Sequence, residues 1–208
     1  MALSIRCYYH LYAAGEWRQP AAEYLTALAE SGMRAELTIG FVGSPEQRAA
    51  AAAMVTAMLH EVGGKRIETA PGMSADTGWE QMTLTRIHRD VHEIPGEFAV
   101  LYCHTKGAAN SYPSQDRWRQ AMTTALVTGW EKCTALLEAG CDQVGPHRYE
   151  RLNDEQELVP FWGGNFWWAK ASYLRTLAEP GMKNRYAAET WVRPRERYYD
   201  VLPGPVNY

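Results

Sequence analysis

Residues able to do chemistry gather at two places in this sequence. The first is Tyr102-Cys103-His104-Thr105-Lys106-Gly107, which follows directly on the apolar run Phe98-Ala99-Val100-Leu101. A short β-branched and aromatic run that stops abruptly at His-Thr-Lys-Gly reads as a buried strand carrying an imidazole, a hydroxyl and an ammonium group to its carboxyl end. That end is where open α/β sheets bind their ligands. The second place is Gly163-Gly164-Asn165-Phe166-Trp167-Trp168. Paired glycines let a backbone approach a ligand closely, and two successive indoles on a strand point to opposite faces, so only one of them can line a shared site.

Other patterns carry less chemistry. His88 and His92 share a helix face at i, i+4, but no third zinc ligand stands nearby. Asn153, Asp154, Glu155 and Glu157 read as a solvated acidic loop before they read as a manganese or magnesium site. A Gly-x-Ser-x-Gly elbow, a phosphate loop and a dinucleotide fingerprint are all absent.

To hold the two polar stretches, the chain must build a sheet. Ile5 to Tyr12 reads as a first strand, and Pro20 then opens a helix that Gly32 closes. Glu36 to Val42 is a second strand. Ser44, Pro45 and Gln47 form a capping box that starts an alanine-rich helix ending at Gly63-Gly64. Arg66 to Thr69 is a short third strand, and after a loop the positions Trp79, Leu84, Ile87, Val91 and Ile94 keep helical spacing up to Pro95. With Phe98–His104, these strand-then-helix units predict an α/β fold with a mostly parallel central sheet flanked by helices on both faces. Beyond it the spacing predicts one long helix from Pro113 to Leu137, a short strand over Cys141–Gly145 and a polar loop over Arg151–Glu157. A strand over Pro160–Trp168 and helices over Lys170–Leu177 and Met182–Val192 complete the reading. Residues 1–192 are expected to form a single domain, with 193–208 as a tail packed on it.

The bulk numbers agree with one globular domain: 208 residues, 46% hydrophobic and 22% charged. A net charge of -3 supplies no overall basic field, which argues against nucleic acid as a partner. No apolar run reaches the roughly 20 residues of a spanning helix, and Met1–Arg6 lacks a signal peptide's apolar segment, so the expected location is cytoplasmic. Four cysteines without CxxC spacing read as reduced core thiols. Eight Trp and twelve Tyr exceed the needs of a core this size, which suits sugars and nucleobases and leaves an oligomer interface open.

This order of elements resembles the GT-A-type nucleotide-sugar glycosyltransferases, a single Rossmann-like domain. More narrowly it is similar to a polysaccharide-biosynthesis-like group carrying His104-Thr105-Lys106-Gly107 and Gly164-Asn165-Phe166-Trp167-Trp168-Ala169, with Trp118-Arg119 and Ala188-Glu189-Thr190-Trp191 also matching. The resemblance implies transfer of a sugar from a nucleotide-sugar donor to a hydroxyl acceptor on a glycan, glycoconjugate or other macromolecule. It implies Glu189 as the general base, His10, Tyr12 and Asp76 near the nucleotide, and Gly163, Gly164, Asn165, Trp167 and Trp168 near the sugar or acceptor. GT-A enzymes usually hold a divalent metal with Asp-x-Asp at the strand end occupied here by His104-Thr105-Lys106, and no Asp-x-Asp occurs in this sequence. No metal ligand is therefore assigned and no cofactor is fixed, with manganese or magnesium left open. Lys106, with His104 and Thr105 beside it, is expected to neutralise the leaving diphosphate instead. The missing Asp-x-Asp also favours a second reading, a catalytically silent GT-A-like carbohydrate- or nucleotide-binding module.

Overall fold

The first strand, β1 (Ser4–Tyr12), shows no alternation of polar and apolar residues, and its interior is buried on both faces, as a central parallel strand requires. The protein was described from a computed structural model covering residues 2–59, 67–68, 74–75, 79–108, 112–152, 156–181 and 186–204. After β1 come α1 (Arg18–Glu30), β2 (Glu36–Val42), α2 (Pro45–Leu59), β3 (Ile67–Glu68), β4 (Ser74–Ala75), α3 (Gln81–Glu93) and β5 (Phe98–His104). The second half holds α4 (Pro113–Thr123), α5 (Trp130–Glu138), β6 (Gln143–Gly145), β7 (Arg148–Leu152), β8 (Leu158–Trp162), β9 (Trp167–Lys170), α6 (Ala171–Leu174), α7 (Tyr186–Glu189) and β10 (Tyr198–Asp200).

The main sheet runs β10-β6-β9-β5-β1-β2-β3, with β4 pairing β2 as well. β1, β2 and β5 are parallel and end nearly together, His10 lying opposite both Gly40 and His104. Among the described strands of this sheet, β9 alone is antiparallel, inserted between β5 and β6. Alternation splits the core between the two faces: Tyr9, Leu11, Leu101 and Trp168 pack with α1 and α2 on one, while Tyr8, Val100, Tyr102 and Trp167 pack with α3 on the other. The expected α/β fold with a mostly parallel sheet is present, and the capping box at α2 forms, Ser44 N–H donating to Gln47 Oε1 at 2.9 Å. Cys7, Cys103 and Cys133 are buried thiols outside any disulfide, and Cys141 is a partly buried one. Much of the aromatic surplus is core, Trp162, Trp167, Trp168, Tyr8, Tyr9 and Tyr102 being fully buried. No helix among the described residues is long and apolar enough to cross a membrane.

Several local expectations are corrected. The helix from Pro113 to Leu137 breaks at a widened turn over Thr124–Thr128, where Gly129 N–H reaches back to Thr124 O at 2.9 Å. A Cβ on Gly129 would lie 2.7 Å from Ala125 O, so the break depends on that glycine. The polar stretch starting at Arg151 belongs to a β7–β8 hairpin, a separate two-stranded sheet whose pairing runs from Arg148–Trp162 to Leu152–Leu158. Helix α6 spans only Ala171–Leu174, and of the Met182–Val192 helix the described residues contain Tyr186–Glu189. The expected tail contributes β10, which extends the sheet beside β6.

Gly145 shows how tightly this edge closes. The Trp162 indole lies where its Cβ would stand, and Trp162 is fully buried with Nε1 donating to Gln143 Oε1 at 3.2 Å. Overpacking at such a contact costs about 1–3 kcal/mol. Gly145→Ala is expected to lower the urea midpoint accordingly with an unchanged m-value; an unaltered midpoint would show that the indole moves freely.

Candidate functional site

Ending β1, β2 and β5 at one level leaves an open trough at their carboxyl ends. It is a cleft of about 1020 Å³, lined by His10, Tyr12, His104, Thr105, Lys106, Gly163, Gly164, Asn165 and Glu189 together with Trp79, Glu80 and Trp118. The structure thus brings together every described residue expected at the site except two. Trp167 and Trp168 are 1% and 0% exposed and fill the cores on the two faces of the sheet. Trp167 Nε1 donates to Asn165 Oδ1 at 3.1 Å and Trp168 Nε1 to Leu126 O at 2.9 Å, so each indole braces the fold. Asp76 lies outside the described residues, as do Asn153, Asp154 and Glu155.

The floor is a hydrogen-bonded polar cluster. Thr105 Oγ1 accepts from Tyr12 N–H at 2.7 Å, and Thr105 N–H donates to His10 O at 3.0 Å, which ties the ends of β1 and β5 together. His10 Nδ1 lies 2.9 Å from Thr83 Oγ1. Burial lowers the His10 imidazole to about 4, Glu80 opposing and His104 reinforcing the shift, so it is neutral at neutral pH.

Glu80, immediately before α3, was not anticipated. Its Oε2 accepts from Tyr102 O–H at 2.8 Å and from Asn165 Nδ2 at 2.5 Å. Burial pushes this carboxyl up, but His104, His10 and the two hydrogen bonds outweigh it and hold the group below the usual carboxylate range. His104 Nε2 lies 2.8 Å from Gly164 O; since a carbonyl only accepts, Nε2 carries the proton. Burial lowers the His104 imidazole, Glu80 opposing and Lys106 reinforcing the shift, so the ring is neutral at neutral pH. At neutral pH the donors that keep Glu80 ionised are therefore Tyr102 and Asn165. The signal in the sequence was faint: one acidic residue next to a tryptophan at a helix start.

Above the floor, Lys106 brings a cation into the cleft, its ammonium 3.9 Å from the Trp118 ring centroid. Its backbone is strapped down, since Lys106 O accepts from Arg119 Nη1 at 3.2 Å. The buried Arg119 is itself held by Glu23 and Asp116, each at 2.8 Å. Gly164 has φ 78°, and a Cβ there would come within 2.7 Å of Met122 Sδ, so the turn bearing Asn165 requires glycine. Glu189 lies at the end of α7 with Oε2 accepting from Arg151 Nη1 at 3.1 Å, across from the β7–β8 hairpin. Trp79 is 53% exposed on the rim.

A divalent metal does not fit the described residues. No group of three His, Cys, Asp or Glu side chains gathers among them, and the rings of His88 and His92 tilt against each other with centroids 4.4 Å apart.

Because His10 is neutral in the folded state and charges near its ordinary value when unfolded, the unfolded chain binds the extra proton below pH 6.5. Stability is then fully present above that pH and falls as pH drops toward the folded value of about 4. The loss attributable to this group between pH 7 and pH 5 is about 2 kcal/mol. His10→Gln is expected to flatten that part of the stability–pH curve, read by urea unfolding at both pH values; a slope equal to the parent's would contradict it.

A crystal structure of S. aureus TarS residues 1–349 is similar, at a TM-score of 0.46 and 10% identity, over 95% of this chain and 60% of that one. This chain therefore spans 60% of the TarS chain's length. No curated protein matches in sequence. A family profile does match, over residues 8–189. Those residues include both polar stretches and the whole described lining of the cleft, so the chain belongs to the family described as Domain of unknown function (DUF8361).

Proposed function

We propose that the cleft transfers a sugar from a nucleotide-sugar donor to a hydroxyl acceptor, as a GT-A-like glycosyltransferase. The observation that carries this reading is the joint presence, in one cleft at the carboxyl ends of three parallel strands, of the Lys106 ammonium and the Glu189 carboxylate. An antiparallel strand beside the parallel set and the aromatic rim at Trp79 and Tyr12 agree with it.

In this reading the donor diphosphate lies against Lys106. As the bond from the anomeric carbon to the diphosphate oxygen breaks, the electron pair leaves with the diphosphate, and the ammonium stabilises the charge that develops. The acceptor hydroxyl oxygen forms the new bond to the anomeric carbon and gives its proton to Glu189. Arg151 holds one Glu189 oxygen, which fixes the carboxylate and leaves the other to face the acceptor. Tyr12, at the end of β1 and lining the cleft, stands near the base, and Asn165, already bound to Glu80, defines the sugar end. No step runs through a metal, because the described residues do not fit one.

Two variants test the reading with a panel of nucleotide sugars. Glu189→Gln is expected to keep donor binding while kcat falls by about 10²-fold or more, the usual share of a general base. Unchanged turnover would remove Glu189 from the mechanism. Lys106→Ala is expected to weaken donor binding and turnover whether manganese or chelator is present; full turnover that depends on manganese would overturn the role given to Lys106. Binding of nucleotide sugars by the parent chain with no transfer to any hydroxyl acceptor would assign the silent binding module instead.

A further inference from the structure

Glu80 poses a question that its fold role does not answer. Among the described residues, both donors that reach it, Tyr102 O–H and Asn165 Nδ2, go to the same oxygen, Oε2. A glutamine carbonyl would satisfy both at less cost, since burying a carboxylate is far more expensive than burying an amide. The charge is therefore kept for the other oxygen. Among the described residues, the polar group facing Oε1 is His104 Nδ1 at 3.8 Å, too far for a hydrogen bond.

His104 gives Oε1 nothing to accept. Its Nε2 proton is spent on Gly164 O, so in the neutral ring Nδ1 presents a lone pair. Two acceptors thus stand side by side in the cleft wall, on side chains 20% (Glu80) and 15% (His104) exposed. An arrangement of two adjacent acceptors without a proton between them matches a ligand that brings two adjacent donors. Neighbouring hydroxyl groups on a sugar ring have that chemistry. The groups proposed to act on the diphosphate and the acceptor, Lys106 and Glu189, line the same cleft as this acceptor pair, where the transferred sugar would sit.

We propose that Glu80 Oε1 and His104 Nδ1 together form the subsite for a vicinal diol of the donor sugar, with Glu80 as its specificity-determining residue. This rests on the transferase reading and names what that reading leaves open: the group that recognises the sugar apart from the nucleotide. A hydroxyl donating to Oε1 and its neighbour donating to Nδ1 would satisfy both lone pairs without moving any proton.

Glu80→Gln tests the subsite without dismantling the floor, because its carbonyl still accepts from Tyr102 and Asn165 while an NH₂ replaces Oε1. The parent chain and the variant are titrated calorimetrically with UDP, GDP, UDP-glucose and GDP-mannose, and urea unfolding checks the fold of each. The parent is expected to bind one nucleotide sugar more tightly than its free nucleoside diphosphate. The variant is expected to bind that diphosphate as the parent does and the nucleotide sugar at least tenfold more weakly. Equal affinity of both chains for the nucleotide sugar would overturn the subsite and leave the transferase reading standing. An equal loss for diphosphate and nucleotide sugar, with a lowered urea midpoint, would overturn it in favour of a purely structural Glu80. A parent that binds none of the four probes would overturn the transferase reading and the subsite with it.

Discussion

A carboxylate placed beneath a sheet's carboxyl edge must find hydrogen-bond donors or lose its charge, and the cleft of this protein is arranged around that requirement at Glu80. Its two donors come from parts of the chain far apart in sequence: Tyr102 from the last turnward residues of β5 and Asn165 from the turn before β9. Asn165 reaches Glu80 from a positive φ of 53°, and the preceding Gly164 takes 78°, so the backbone of that turn is bent into the conformation that the hydrogen bond needs. Asn165 is in turn oriented by Trp167 Nε1, and Gly164 O by His104. The start of α3, the end of β5 and the turn into β9 are thereby locked to one another through a single oxygen.

The antiparallel insertion of β9 makes this lock geometrically available. A strand running against β5 must enter from the carboxyl edge of the parallel set, which delivers its preceding turn to the cleft floor. The same insertion buries Trp167 and Trp168 on opposite faces, where their size fills the two cores. The indoles that look most suited to a sugar in the sequence are therefore structural. The indoles that do line the cleft are Trp79 and Trp118, the latter beneath the Lys106 ammonium.

The Lys106 strap depends on a different buried charge. Arg119 sits between Glu23 on α1 and Asp116 on α4 and donates to the Lys106 carbonyl, so two helices fix Lys106 just beyond β5. Lys106 and Glu189 are thus each held by an arginine that does not line the cleft, Arg119 at the Lys106 carbonyl and Arg151 at the Glu189 carboxylate. Such outside support is how a site keeps its geometry before a ligand arrives.

Local signals in the sequence were enough for β1, β2 and β5, because each is a largely apolar run and the helices between them have their own start and stop: Ser44 and Gln47 at α2, Pro95 after α3, the polar His104-Thr105-Lys106 at the end of β5; β4 fell within the expected loop after β3. The same runs placed His10, His104, Thr105 and Lys106 at one edge, since parallel strands in register end together. The second half was less legible. The break at Gly129 depends on a carbonyl one turn away, the β7–β8 hairpin has only Leu152 and Leu158 flanking a polar stretch, and β10 gains its identity by pairing with β6. Glu80 was invisible for a related reason: nothing in a lone glutamate before a helix indicates that Tyr102 and Asn165 will converge on it. The protonation of His104 was likewise decided by what surrounds it, because desolvation and a carbonyl acceptor are properties of the packed chain. Periodicity and caps are written along the sequence; the pairing of charges across it is set only when the chain closes on itself.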